Sequence, residues 1–176
     1  MKKILIVLGL ILTVILIYSF KEDNKLSCLE ITDTNSLNIE NKVSDYTLYK
    51  KTNYRIIDFL YDIKDNKEIK DKYPINNLFV TSDLIVLNIG HNDLKYSDKS
   101  LNDPLVYIDK IVNDYTKIIE EIRKVSKEKI VIIYNYKLKS KHNDYLYNKL
   151  SNLKEKFEIE VLDEKEFINY LKSFTN

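Results

Sequence analysis

The sequence predicts an α/β domain, a parallel sheet with helices on both faces, preceded by one N-terminal membrane-spanning helix. Apolar segments rich in β-branched residues alternate with segments whose apolar residues recur at helical spacing. Such alternation is typical of parallel strands joined by helices. An uncharged run near the start of the chain predicts the membrane helix, and 176 residues leave room for it and one domain.

The uncharged run extends from Ile4 to Phe20 and follows Lys2 and Lys3. As a helix rising ~1.5 Å per residue it covers about 26 Å, close to the ~30 Å hydrocarbon core of a bilayer. The two lysines are expected on the cytoplasmic side, which places the rest of the chain outside the cell membrane as an extracytoplasmic domain. A cleaved signal peptide is the alternative, but the end of the run lacks the small residues of a cleavage site. The expected division is a single-pass signal anchor, a linker and a domain, at residues 1–22, 23–27 and 28–176.

Charge and cysteine content exclude several classes of function. Apart from Lys2 and Lys3, the chain has 26 basic and 27 acidic side chains, so it lacks the basic surface of a nucleic-acid-binding protein. Cys28 is the only cysteine, and it can form neither an intrachain disulfide nor a metal site by itself. No cofactor is expected.

The strands are expected where short apolar runs occur without helical spacing, as in the run Leu84–Ile89, which ends at Gly90. The other expected strands are Cys28–Thr32, Ile130–Tyr134 and Ile159–Leu162. Helices are expected where apolar residues recur every three or four positions, and Pro104 suits the first turn of the longest one. The expected helices are Ser44–Ile63, 66–80 with an interruption near Pro74, 105–125, Leu146–Phe157 and Glu164–Phe174.

The most informative motif is Gly90-His91-Asn92-Asp93, directly after a buried strand. Glycine at that point permits a sharp turn with positive φ or a close approach to the backbone. Asn92 would then stand at the carboxyl end of the sheet, where ligands bind in such folds. The alternative is an ordinary turn, because Gly, Asn and Asp are common turn residues.

At these residues the chain resembles the SGNH/GDSL hydrolases, which carry a G-x-N-D block after a central strand. The resemblance implies a three-layer, flavodoxin-like parallel sheet with Asn92 as a donor to the oxyanion hole. The order of elements is similar over roughly residues 28–170, although only this block is specific. The first family block, G-D-S, has its best counterpart in Thr32-Asp33-Thr34, which places Thr34 at the nucleophile position and Ser36 nearby.

Other parts of the family's catalytic set are missing. No glycine lies between Gly9 and Gly90 to supply the second oxyanion donor, and the C-terminal segment has no histidine to act as the base. The histidines of the chain are His91 and His142. Either would have to lie within ~3 Å of the Thr34 or Ser36 hydroxyl to replace the base.

Two other kinds of site are disfavoured. Asp33, His91 and Asp93 are too scattered to make a compact metal motif. Several tyrosines could form a stacking platform, but their helical spacing and the near-neutral charge favour packing instead. These tyrosines are Tyr46, Tyr49, Tyr54 and Tyr61.

Three hypotheses follow. The first is an anchored, SGNH-like binding or assembly module without hydrolase activity, with envelope carbohydrate or an envelope protein as partner. The second is an active esterase or deacetylase on acyl esters of envelope carbohydrate, with Thr34 or Ser36 as nucleophile, Asn92 as oxyanion donor and His142 or His91 as base. The third is an anchored structural domain without a ligand.

Overall fold

The computed structural model describes residues 26–69, 73–97, 104–134 and 140–175. The expected anchor and most of the expected linker lie outside these ranges, so that prediction stays a prediction. Within these ranges, no helix has both the length and the apolar character that crossing a membrane requires.

Strands and helices alternate along most of the described chain. Their order is β1 (Ser27–Thr32), β2 (Asp45–Lys50), α1 (Ile56–Lys64), β3 (Glu68–Ile69), β4 (Tyr73–Pro74), α2 (Ile75–Thr81), β5 (Leu84–Asn88), α3 (His91–Ser97), α4 (Pro104–Val125), β6 (Lys129–Ile133), α5 (Ser140–Ser151), α6 (Leu153–Phe157), β7 (Ile159–Leu162) and α7 (Glu164–Thr175).

Five of the described strands form one parallel sheet in the order β2-β1-β5-β6-β7. The short strands β3 and β4 form a separate antiparallel hairpin. Without the hairpin the strand order is 2-1-3-4-5, which is compatible with a flavodoxin-like fold. The predicted parallel α/β architecture is confirmed. The carboxyl ends of β1, β5 and β6 share one edge of the sheet, which we call the rim.

The two faces of the sheet are covered differently. Side chains alternate along β1, so Leu29 and Ile31 point to one face and Cys28 to the other. On the first face, α1, α2, α4 and α5 contribute buried side chains to the larger core. On the second face, α7 and the connection between β1 and β2 cover Cys28, Leu84 and Val86.

The connection between β1 and β2, residues 33–44, contains no helix, and we call it the strap. Crossovers between parallel strands usually contain a helix. Here the strap covers the sheet with Leu37 and Ile39, which are both buried. A turn in which the Lys42 amide donates to the Ile39 carbonyl at 2.8 Å leads back towards β2.

The prediction of one helix over Ser44–Ile63 is wrong. Residues 45–50 form β2, a partly exposed edge strand, and only Ile56–Lys64 is helical. Tyrosine and threonine in β2 favour strand structure, and Asn53 with a φ of 57° interrupts the chain before α1.

The prediction for 66–80 is correct only in its second half, where α2 follows Pro74. Its first half contains Asn66, with a φ of 47°, and the β3–β4 hairpin. The stripe Leu146–Phe157 is divided between α5 and α6 at Asn152. The long helix, the other strands and the last helix are confirmed within a few residues.

Candidate functional site

Gly90 forms the turn from β5 into α3. Its φ is 105°, a conformation that favours glycine because a Cβ atom would clash with the backbone. The Gly90 carbonyl accepts a hydrogen bond from the Leu94 amide at 3.0 Å, which fixes the first turn of α3. The expected backbone turn is present, and it places His91, Asn92 and Asp93 at the rim.

Asp33 joins the loop after β1 to the loop after β5. Its Oδ2 atom accepts hydrogen bonds from the amides of Gly90, at 3.1 Å, and Asn92, at 3.0 Å. Its Oδ1 atom lies 3.1 Å from Nδ1 of His91. The Asp33 side chain is 0% exposed, so these partners replace water around the carboxylate. The two loops therefore meet, as expected for neighbouring strands of a parallel sheet.

Asn92 and Asp93 bind the loop before α1. The Asn92 side-chain amide donates to the Tyr54 carbonyl at 3.0 Å. The Asp93 Oδ2 atom accepts from the Ile56 amide at 2.9 Å, at the start of α1. Burial and the nearby Asp33 charge raise the pKa of Asp93, whereas the hydrogen bond from Ile56 lowers it in part. Both side chains therefore hold the N-terminus of α1 against the rim.

A polar pocket of about 290 Å³ opens beside this motif. Residues of the strap form one wall, and the ends of β5 and β6 with the starts of α3 and α7 form the rest. We call it the rim pocket, and its polar lining includes Thr34, Asn35, Ser36, Asn88, His91 and Glu164. Three predicted site residues, Thr34, Ser36 and His91, thus line one pocket.

The other predicted residues do not line the rim pocket. Asp33, Gly90, Asn92 and Asp93 lie beside it and contact one another or α1. His142 is buried in α5, 8% exposed, and is absent from the pocket lining. Of the two histidines, the structure therefore brings only His91 to the hydroxyl-bearing strap.

Glu30 is a buried carboxylate beneath the strap that sequence reasoning missed. Its oxygens accept hydrogen bonds from the Leu37 amide at 3.2 Å, the Asn88 side chain at 3.1 Å and the Tyr46 hydroxyl at 2.5 Å. Burial raises the pKa of Glu30, and these three hydrogen bonds oppose that change only in part. Its signal in the sequence was a charged residue inside the apolar segment Cys28–Thr32. Glu164, also missed as a site residue, was assigned only to a helix start.

The tyrosines do not form a stacking platform. Tyr49 and Tyr54 are buried, and their hydroxyls both donate to Asp62, as do the ammonium groups of Lys51 and Lys67. Burial raises the pKa of Asp62, but these four hydrogen bonds outweigh burial and lower the pKa to about 2. The predicted helical packing is wrong for most of the set, because Tyr46 and Tyr49 lie on β2 and Tyr54 lies in a loop. Of the predicted set, only Tyr61 lies on a helix, and it is exposed.

No group of three or more His, Cys, Asp or Glu side chains able to hold a metal ion occurs among the described residues. Asp33 and His91 contact each other, but Asp93 points to α1.

The chain was also compared with known proteins. Neither the models of known protein families nor the curated proteins give a match to this sequence.

Proposed function

We propose that the domain is an SGNH-like ligand-binding module, anchored outside a cell membrane by its N-terminal helix, in which hydrolase catalysis has been lost. The rim pocket is its binding site. The loss of catalysis rests mainly on one observation: Asn92, the expected oxyanion donor, uses its backbone and side-chain amides in hydrogen bonds inside the protein. The amides of Gly90 and Asn92 donate to Asp33, and the side chain of Asn92 donates to Tyr54.

An oxyanion hole requires hydrogen-bond donors that point to the place where negative charge develops. Here a buried carboxylate already occupies the position in front of two such amides. A developing oxyanion at the same place would meet the charge of Asp33 and would gain no hydrogen bond from those amides. Loss of an oxyanion donor alone costs about two to three orders of magnitude in rate.

The rim pocket has the chemistry of a site for a polar, hydroxyl-rich ligand. Thr34 and Ser36 contribute hydroxyls and Asn35 contributes a side-chain amide, which donate and accept hydrogen bonds. The amide nitrogen of Asn88 already donates to Glu30 and to the Asn35 carbonyl. A volume of about 290 Å³ is at the lower end of the range for small-molecule sites, which suits one sugar-sized unit. An envelope carbohydrate is therefore the ligand class that we propose, and an envelope protein with a polar projecting group is the alternative.

The test for binding uses the full chain in detergent micelles and soluble fragments of envelope polysaccharide, followed by calorimetry. We expect saturable binding that Ser36→Ala weakens by about tenfold, as for the loss of one hydrogen bond. Ser173→Ala is the matched control because Ser173 is exposed on α7. Equal affinity in wild type and Ser36→Ala, or no saturable binding, would contradict the proposed site.

One observation favours ester hydrolysis as a second candidate. The Asp33 Oδ1 atom lies 3.1 Å from Nδ1 of His91, as in pairs where a carboxylate orients a catalytic imidazole. His91 also lines the same pocket as Thr34 and Ser36. In this candidate His91 takes the proton of one of these hydroxyls, whose oxygen attacks the ester carbonyl.

Hydrolysis of an activated acetyl ester by the full chain separates the two candidates. A working hydrolase gives turnover that is lost in His91→Ala and in either Thr34→Ala or Ser36→Ala, and is kept in His142→Ala and Ser173→Ala. The proposed binding module gives no turnover above background in any of these proteins.

A further inference from the structure

Glu30 lies in the middle of β1, between β2 and β5, and is buried. It is 0% exposed, and the hydrogen bonds it accepts come from neutral donors on three elements. None of the ion pairs among the described residues includes Glu30. A carboxylate taken out of water without a counter-charge favours its neutral form.

The strap covers Glu30 and also forms a wall of the rim pocket. The Leu37 amide donates to Glu30, and the Asn35 carbonyl accepts from the Asn88 side chain at 3.3 Å. Asn88 donates to Glu30 as well, so one amide group connects the carboxylate to the strap. Asn35, Leu37 and Asn88 all line the rim pocket. A movement of the strap that admits water to Glu30 must therefore change the shape of the pocket.

Ionisation of Glu30 and opening of the strap are linked because opening hydrates the carboxylate. While the strap is closed, burial raises the pKa of Glu30 above its ordinary value of 4.5. In an open state the hydrated carboxyl group returns towards that ordinary value. The closed state therefore binds a proton more readily than the open state, and a rise in pH favours opening.

The neighbouring titratable groups do not reverse this direction. Burial raises the pKa of Cys28 on β1 to about 12. Burial and the hydrogen bond to Glu30 raise the pKa of Tyr46 on β2 above its ordinary value. Both groups are therefore neutral at ordinary pH. Glu40, on the strap, adds a like charge that also favours neutral Glu30. From β5 the contact is the neutral Asn88, and α7 covers this face with buried apolar side chains.

We propose that the strap is a proton-linked wall of the rim pocket, closed over neutral Glu30 and opening more readily once Glu30 is ionised. A ligand that enters by this wall would then gain access as the pH rises, a consequence that rests on the proposed binding function. Movement of the wall itself does not rest on that function.

Hydrogen exchange at the Leu37 amide tests the proposal without a ligand. The full chain in detergent micelles is followed by mass spectrometry between about pH 4.5 and 7.5, with protection corrected for the intrinsic exchange rate. We expect protection to fall by up to about tenfold per pH unit while Glu30 titrates, since opening releases one proton. Glu30→Gln should remove this slope and leave Leu37 protected throughout. Glu40→Gln is the matched control and should keep the slope.

A flat profile in the wild type, or an unchanged slope in Glu30→Gln, would overturn the proposal. If Glu30→Gln does not fold, Tyr46→Phe replaces it. That variant removes the hydroxyl that donates to Glu30 in the closed state, which raises the pKa of Glu30 there and leaves the open state unchanged. The decline in protection should therefore start at the same pH and continue to a higher pH than in the wild type. An upper limit that stays at the wild-type pH would also overturn the proposal. If the hydrogen-exchange profile is as expected but the binding assay detects no binding, only the proposed binding function is overturned.

Discussion

The Asp33 carboxylate is the connection whose removal should damage the rim most. It accepts hydrogen bonds from the amides of Gly90 and Asn92 and contacts the ring of His91, and its side chain is 0% exposed. A hydrogen bond to a charged group contributes about 1.5–3 kcal/mol. Because the bonds share one acceptor group, their contributions are not additive. For Asp33→Ala we expect the free energy of unfolding to fall by about 3–5 kcal/mol.

Asp33→Asn is the matched variant for this prediction. The asparagine keeps one carbonyl oxygen for the amides of Gly90 and Asn92 but loses the charge. We therefore expect a loss of only about 1–2 kcal/mol, the difference between charged and neutral acceptors for two hydrogen bonds. Urea unfolding of the full chain, followed by circular dichroism in the far ultraviolet, measures both variants against wild type.

Two results would refute the reasoning about Asp33. A loss below about 1 kcal/mol in Asp33→Ala would mean that water replaces the carboxylate at little cost, contrary to its burial. Equal losses in the two variants would mean that the amides of Gly90 and Asn92 are not the important partners. In the second case the negative charge, which both variants lose, would dominate, through its contact with His91.

Three further predictions concern other buried groups. Asp62→Asn should lower the free energy of unfolding by about 2–4 kcal/mol near neutral pH. The folded state lowers the pKa of Asp62 from 3.8 to about 2. The difference in free energy of unfolding between wild type and Asp62→Asn should therefore be complete above pH 3.8 and should shrink as the pH falls through 2. Urea titrations at several pH values measure it. Gly90→Ala should cost about 1–3 kcal/mol because its φ is 105°, whereas Asn53→Gly, at a φ of 57°, should change the unfolding midpoint little. Cys28 should resist a maleimide in the folded chain and react in urea, because burial raises the pKa of its thiol to about 12; equal labelling rates would contradict this.

The parts of the fold that were predictable are those with a single strong pattern. Leu84–Asn88 is buried on every residue, as its continuous apolar sequence indicated. The helix Pro104–Val125 keeps one apolar face over six turns, and no other structure satisfies that period. The helix expected over Ser44–Ile63 was wrong because Leu48 and Ile56 match a helical spacing by coincidence: Leu48 lies on β2, Ile56 starts α1, and a loop separates the two elements.

The meeting of residue 33 with residues 90–92 was predictable, since the ends of neighbouring parallel strands share an edge. The partner of Asn92 was not predictable, because Tyr54 had been assigned to the interior of a helix. Glu30 was missed for a different reason. Alternation along β1 decides which face it joins, and only the helix-free strap above that face supplies the Leu37 amide that it binds.

Strand β1 starts at the edge of the sheet opposite the rim. There the Ser27 amide and hydroxyl donate to the Asp83 carboxylate, at 2.8 and 2.7 Å, and the Asp83 amide donates back to the Ser27 hydroxyl at 2.9 Å. From Ser27 the strand extends about 20 Å, at ~3.3 Å per residue, before it reaches Asp33. An anchor that precedes Leu26 would hold the domain by its base. The rim pocket would then lie at the opposite end of β1 from this point of attachment.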